Sequence, residues 1–210
     1  MRMGPASYVK ASEANGGRWL DLLARHRVGR HLGGIFAVKG SAITKLAHLR
    51  GTRIIFQDED STTTVFAKAL LADNGLRASD FLDVKHRING PTVSDLVRTG
   101  KADVGAFNRS LVDDADDFQP VGEPFELFGQ LWVARPGFQE EQPQLYAALS
   151  KALLALPDDA VRAMGQDVRA MDPVNSNELK PVIEKVKKSE RFDGTPQPPT
   201  TRPAAQQGIK

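Results

Sequence analysis

The chain contains no cysteine among its 210 residues. Disulfide cross-links, thiolate nucleophiles and cysteine-bound zinc are therefore excluded; the redox compartment is not fixed, because many exported proteins also lack the residue. A dominant charge is lacking too: 28 basic against 26 acidic residues leave a formal net charge of +2. So small an excess makes no case for nucleic acid or an anionic membrane as partner. No apolar run approaches the roughly 18–20 residues that a spanning helix needs. The opening Met1-Arg2-Met3-Gly4-Pro5 has no apolar stretch of signal-peptide type, so the chain as written is expected to stay in the cytoplasm. Enzyme signatures are missing as well. There is no Gly-x-Ser-x-Gly elbow and no Walker or dinucleotide glycine pattern. His26, His31, His48 and His86 show no metal-ligand spacing with carboxylates. The run Asp113-Asp114-Ala115-Asp116-Asp117 lacks the glycine and terminal Glu of a calcium loop and reads as a solvated turn. The expectation is a binder without cofactor, metal or catalytic constellation.

What is present is ordinary for a soluble globular protein: 40% hydrophobic and 26% charged residues, enough for one or two domains with a real core. Ile35–Val38, Arg53–Phe56, Leu82–His86, Ala102–Ala106 and Gln130–Ala134 read as strands. Between the second and third, Val65, Phe66, Ala69, Leu70 and Leu71 recur at helical spacing, with Asn74-Gly75 as the stop. Val93, Leu96 and Val97 do the same before Gly100. Strands separated by single helices predict parallel crossovers and an α/β fold. After Pro136-Gly137 the strands are expected to stop, and helices follow over Leu145–Leu156, Asp158–Met164 and Glu178–Lys188. The proline-rich, apolar-poor stretch 194–210 predicts a disordered tail.

One segment stands out chemically. Asp58-Glu59-Asp60-Ser61-Thr62-Thr63-Thr64 joins a strand to a helix, at the carboxyl edge of a parallel sheet, where ligands bind. A single hydroxyl suffices to cap a helix; four in a row exceed that need, and free N–H groups at a helix start accept an anion. Gly4-Pro5-Ala6-Ser7-Tyr8 opens another helix, and by itself reads as a turn plus a helix start. Thr92, after Asn89-Gly90-Pro91, either caps its helix or faces a ligand, capping being the commoner use.

Taken in order, these segments resemble a known family. Gly4-Pro5-Ala6-Ser7-Tyr8 is similar to the Gly-Pro-x-Ser-Tyr stretch of phosphate/phosphite/phosphonate-binding proteins of ABC importers. Leu49 to Phe56 with Asp58 to Thr63 resembles their Leu-Arg-Gly-Lys and Asp-Pro-x-Ser-Thr-Ser segment. Gly100 to Ala106 resembles their Gly-x-Ala-Asp-x-Gly-Ala strand, and Val133 to Gly137 their return to the first lobe. Three departures stand beside this. The family often has a His-Asp pair where this chain has Gly90 and Pro91. Glu59 and Asp60 replace Pro and a small polar residue, and carboxylates disfavour a dianion. Family members also carry a signal peptide and several elements ahead of the Gly-Pro-x-Ser-Tyr stretch.

The resemblance implies a periplasmic-binding-protein-like two-lobed α/β fold with mostly parallel sheets and an incomplete first lobe. Residues 1–38 and 127–193 would form that partial lobe and 39–126 the second. Val182, Ile183 and Val186 would then be poorly covered, and the whole chain marginal or aggregation-prone alone. The resemblance further implies a substrate-binding component of an ABC transporter for phosphonate, phosphate or a related small oxyanion, periplasmic by family and partnered by an ABC permease if exported. A ligand-sensing input module of a signalling protein is the alternative. Ser61, Thr62 and Thr63 would contact the oxyanion, with Tyr8 and Ser7 on the opposite wall; Thr92 and Asn108 complete the candidate set. Helix starts and hydroxyls, not Lys or Arg, are expected to dominate recognition.

Overall fold

The computed structural model describes residues 1–29, 31–165 and 167–194. Apart from Gly194, the predicted tail lies outside them. In chain order the elements are β1 (Arg2–Met3), α1 (Pro5–Ala14), β2 (Asp21–Val28), β3 (Leu32–Val38), β4 (Arg53–Phe56), α2 (Thr62–Asp73), β5 (Asp83–His86), α3 (Gly90–Arg98) and β6 (Val104–Asn108). They continue with β7 (Phe118–Pro120), β8 (Phe125–Glu126), β9 (Leu131–Ala134), α4 (Phe138–Glu141), α5 (Pro143–Leu154), α6 (Asp158–Ala163), β10 (Val168–Asp172) and α7 (Lys180–Phe192).

The strands form two sheets. One runs β1-β9-β2-β10; the other runs β5-β4-β6-β3-β7, with β8 also on β3. The α/β class is as expected. The parallel pairing predicted from strand–helix–strand alternation is found where such crossovers exist, between β4 and β5 and between β4 and β6. All other pairings are antiparallel, because β3 enters its sheet from the other one and β2, β9 and β10 return by long connections. Two further expectations change. β3 pairs with β6, β7 and β8, so it belongs with 39–126 and the chain changes sheets before Leu32, not after Val38. Strands do not stop at Gly137 either: β10 pairs with β2. Its alternation is broken by a bulge between Val168 and Ala170, and β2 hides its strand character under Arg25, His26 and Arg27, two of which pair with Asp172 on β10.

Burial follows the two-residue period of the strands. In β4, Ile54 and Phe56 face one side with Ala67 and Leu71 of α2, while Ile55 faces the other with Val93 and Val97 of α3. Asp103 of the Gly-x-Ala-Asp motif anchors this sheet; its carboxylate accepts from Arg53 Nη2 at 2.7 Å and from the Arg53 amide at 2.7 Å. Gly105 is needed for packing, since a Cβ there would come within 2.7 Å of Val93 and 2.8 Å of Val97. Around the first sheet, Leu131 and Val133 pack on α1, α2 and α7, and Ala24, Val168 and Met171 pack toward α6.

Helix α7 joins the halves. Val182 and Val186 are fully covered, against the expectation of an open face, because they pack with Val65 and Phe66 of α2. At its far end Phe192 enters the second sheet's core, 5.6 Å from Phe56 and 5.7 Å from Phe81 between ring centroids. Beside it, Lys68 Nζ donates to both carboxylate oxygens of Asp193, at 2.8 and 3.0 Å. No helix among the described residues is long and apolar enough to cross a membrane. Replacing Phe192 by Ala is expected to lower the unfolding free energy by about 3–5 kcal/mol in urea titration. A loss below about 1 kcal/mol would contradict this packing.

Candidate functional site

A cleft of about 420 Å³ is lined from both sheets. Gly4, Pro5 and Ser7 at the start of α1 supply one wall, and Gln57, Asp58 and Asp60 to Thr63 at the start of α2 supply the facing one. His26, His31, Asn108, Gly129 and Asp167 close the base. Gly129 cannot be exchanged freely, since a side chain there would run into the His26 carbonyl.

The start of α2 is the main source of unspent donors. Its N-cap Ser61 makes no side-chain capping bond, and the first intrahelical bond is Val65 N–H to Ser61 O at 3.0 Å. The N–H groups of Thr62, Thr63 and Thr64 therefore have no partner within the helix and carry the positive end of its dipole. The Ser61 hydroxyl turns instead to Gln57 Oε1 at 3.3 Å. Thr62 Oγ1 accepts the Ala6 N–H at 3.3 Å, which brings the two helix starts together and leaves its own O–H to donate. Thr63 is nearly buried and lines the cleft, while Thr64, the last of the run, is turned wholly into the core.

Of the seven candidates, Ser7, Ser61, Thr62, Thr63 and Asn108 converge on this cleft. Tyr8 and Thr92 do not line it. Tyr8 is a core residue whose hydroxyl donates to Leu20 O at 3.1 Å, and burial, then the charge of Asp21, pushes its phenol up to about 12. Thr92 is exposed, and its N–H serves the cap of α3 by donating to Asn89 Oδ1 at 2.9 Å. The place of the family's His-Asp pair is filled differently: a side chain at Gly90 would stand 3.1 Å from Gln57 Nε2, and Gln57 lines the cleft.

Sequence reasoning missed Arg2, His26, His31 and Asp167, all of which line the cleft. Arg2 supplies a cation that the hydroxyl-and-helix expectation left out. His26 is read by its partner: Trp132 Nε1–H donates to His26 Nε2 at 3.0 Å, and an indole only donates, so that nitrogen is unprotonated. Burial, then the charge of Arg2, lowers the His26 pKa against the opposing pull of Asp167. His31 spans the base, its Nε2 meeting the Asp167 carboxylate and its Nδ1 facing Asn108 Nδ2 at 3.3 Å. The metal-ligand test applied to these histidines in sequence could not reveal such roles; the Arg25-His26-Arg27 run was the available signal, and it concerns His26 alone.

The family described as ABC transporter, phosphonate, periplasmic substrate-binding protein matches the chain over residues 1–184. The chain belongs to this phosphonate-binding family. Solved structures agree in fold. A Xanthomonas citri protein bound to ATP superposes with a TM-score of 0.73 at 19% identity, over 91% of this chain and 78% of that one. PhnD1 of Prochlorococcus marinus in complex with methylphosphonate gives 0.70 at 17%, over 90% and 78%. A binding-protein component of a phosphonate ABC transporter from Pseudomonas aeruginosa gives 0.70 at 14%, over 90% and 68%. No curated protein matches the sequence. In this phosphonate-binding family member, the cleft is lined by residues from both sheets and by the starts of α1 and α2.

Because the folded pKa of His26 lies below its unfolded value near 6.5, the unfolded chain binds the proton first as pH falls. Stability is therefore full above about pH 6.5 and declines below it, until the folded pKa is passed. His86, lowered by burial first and Lys68 second, adds to the same slope. Replacing His26 by Gln is expected to flatten this decline, measured by denaturant unfolding across the acid range. An unchanged slope would contradict a neutral His26.

Proposed function

We propose that the chain is the substrate-binding component of an ABC importer for a small phosphonate, acting in the periplasm and delivering to a permease, and that it performs no catalysis. The observation that carries this reading is the uncapped start of α2, whose Thr62, Thr63 and Thr64 N–H groups have no partner within the helix and whose Ser61, Thr62 and Thr63 line a cleft that also holds Arg2. Tetrahedral oxyanions suit such a seat, because the helix end supplies both donors and a favourable dipole without a metal. The cleft's size falls within the range of small-molecule sites.

Charge refines the ligand. Asp60 is paired with Lys10, and Asp167 meets His31. The Asp167 contact offsets charge only where His31 is protonated. Among the described residues, Arg2 and Asp58 line the cleft without a partner of opposite charge. A phosphonate that also carries an amino group satisfies both, whereas a bare phosphate dianion gains Arg2 and meets Asp58.

Calorimetric titration with methylphosphonate, 2-aminoethylphosphonate and inorganic phosphate tests this. The expected order is aminoethylphosphonate tightest and phosphate weakest. Replacing Thr63 by Ala is expected to cost about 1.5–3 kcal/mol, the range for a hydrogen bond to a charged group. Absence of binding by all three anions, or unchanged affinity in the Thr63→Ala protein, would overturn the reading.

A further inference from the structure

The acidic departure beside the hydroxyl loop has a counterpart on the opposite wall. Lys10, on α1, reaches the loop before α2, and its Nζ donates to Asp60 Oδ1 at 2.7 Å and to Glu59 O at 3.0 Å. One turn earlier on the same helix, Ser7 Oγ donates to Asp60 O at 3.0 Å. Glu59 is turned away from the cleft, 3.8 Å from His86 Nδ1 and absent from the lining. Asp58 and Asp60 both line this wall; Asp60 is the one next in sequence to the start of α2, and Lys10 sits on it.

We propose that Lys10 is a charge-masking residue for the oxyanion seat: it neutralises Asp60 and holds the Asp58–Thr62 loop against α1, so that an anion is accepted beside an acidic loop. This rests on the reading of the cleft as a phosphonate site. The side chains are 36% and 62% exposed, so the pair adds little to folding stability. Its effect is on the ligand. A carboxylate left bare a few ångströms from a bound anion repels it, by an amount set by separation and screening. Lys10 itself does not line the cleft, and it acts on the ligand through Asp60.

The test is a double-mutant cycle on the full chain, titrated calorimetrically with methylphosphonate. Replacing Lys10 by Met is expected to weaken binding about three- to fivefold at low salt. The loss is expected to shrink at about 1 M salt, where the screening length is about 3 Å. Replacing Asp60 by Asn is expected to tighten binding, and K10M/D60N to recover at least wild-type affinity. Equal losses in K10M and the double variant would make Lys10 a structural or direct contact and overturn the proposal. Unchanged affinity in K10M would also overturn it, while leaving the phosphonate reading intact. Failure of the unmodified chain to bind the anion would overturn both.

Discussion

Helix α2 is buried on two opposite sides, and the rest of the molecule is arranged around that constraint. Ala67 and Leu71 pack into the core of the larger sheet, while Val65 and Phe66 pack into the core shared by α1, α7 and β9. Lys68 is held by Asp193 between the rings of Phe56 and Phe192. A helix gripped in this way cannot tilt or slide without opening two cores, so its N-terminus is fixed in space. Preorganised donors gain from such rigidity, because no ordering is needed when the ligand arrives. The candidate site is therefore a consequence of packing: the same residues that close the cores fix the uncapped helix start that lines the cleft.

Electrostatics then decide what that helix end can hold. Carboxylates crowd the cleft: Asp60 is paired with Lys10, Asp167 lies against His31, and Asp58 has no cationic partner. His26 is kept neutral by burial, by Arg2 and by the indole it accepts from, so it adds no cation. The proposed ligand preference follows from the charge that stays unpaired, set against a helix dipole of fixed sign. Family membership is shown by the match over residues 1–184, and the fold by structures below one-fifth identity; the ligand preference rests on these local charges.

The sequence made the larger sheet legible because its strands obey simple rules. Arg53–Phe56 was bounded correctly, and β6 and α2 within a few residues, since apolar runs and helical spacing were uninterrupted. The smaller sheet was harder. β2 carries Arg25, His26 and Arg27, and β10 is bulged, so neither shows the alternation that marks a half-buried strand. At the site, hydroxyls next to a helix start were readable because capping chemistry is local. Tyr8 and Thr92 lie outside the cleft lining: local motif position does not say which way a side chain turns once α1 and α3 are packed. Arg2, His31 and Asp167 come together only through strand pairing and the change of sheets before Leu32, which no short window contains.

The central claim, that the start of α2 is the oxyanion seat, is most directly tested by amide hydrogen exchange resolved to single residues. Exchange at Thr62, Thr63 and Thr64 is compared with and without saturating methylphosphonate. The account predicts that the ligand slows these amides selectively, since they have no partner within the helix until the anion accepts from them. Slowing elsewhere in the chain, with Thr62 to Thr64 exchanging as fast as before, would contradict it.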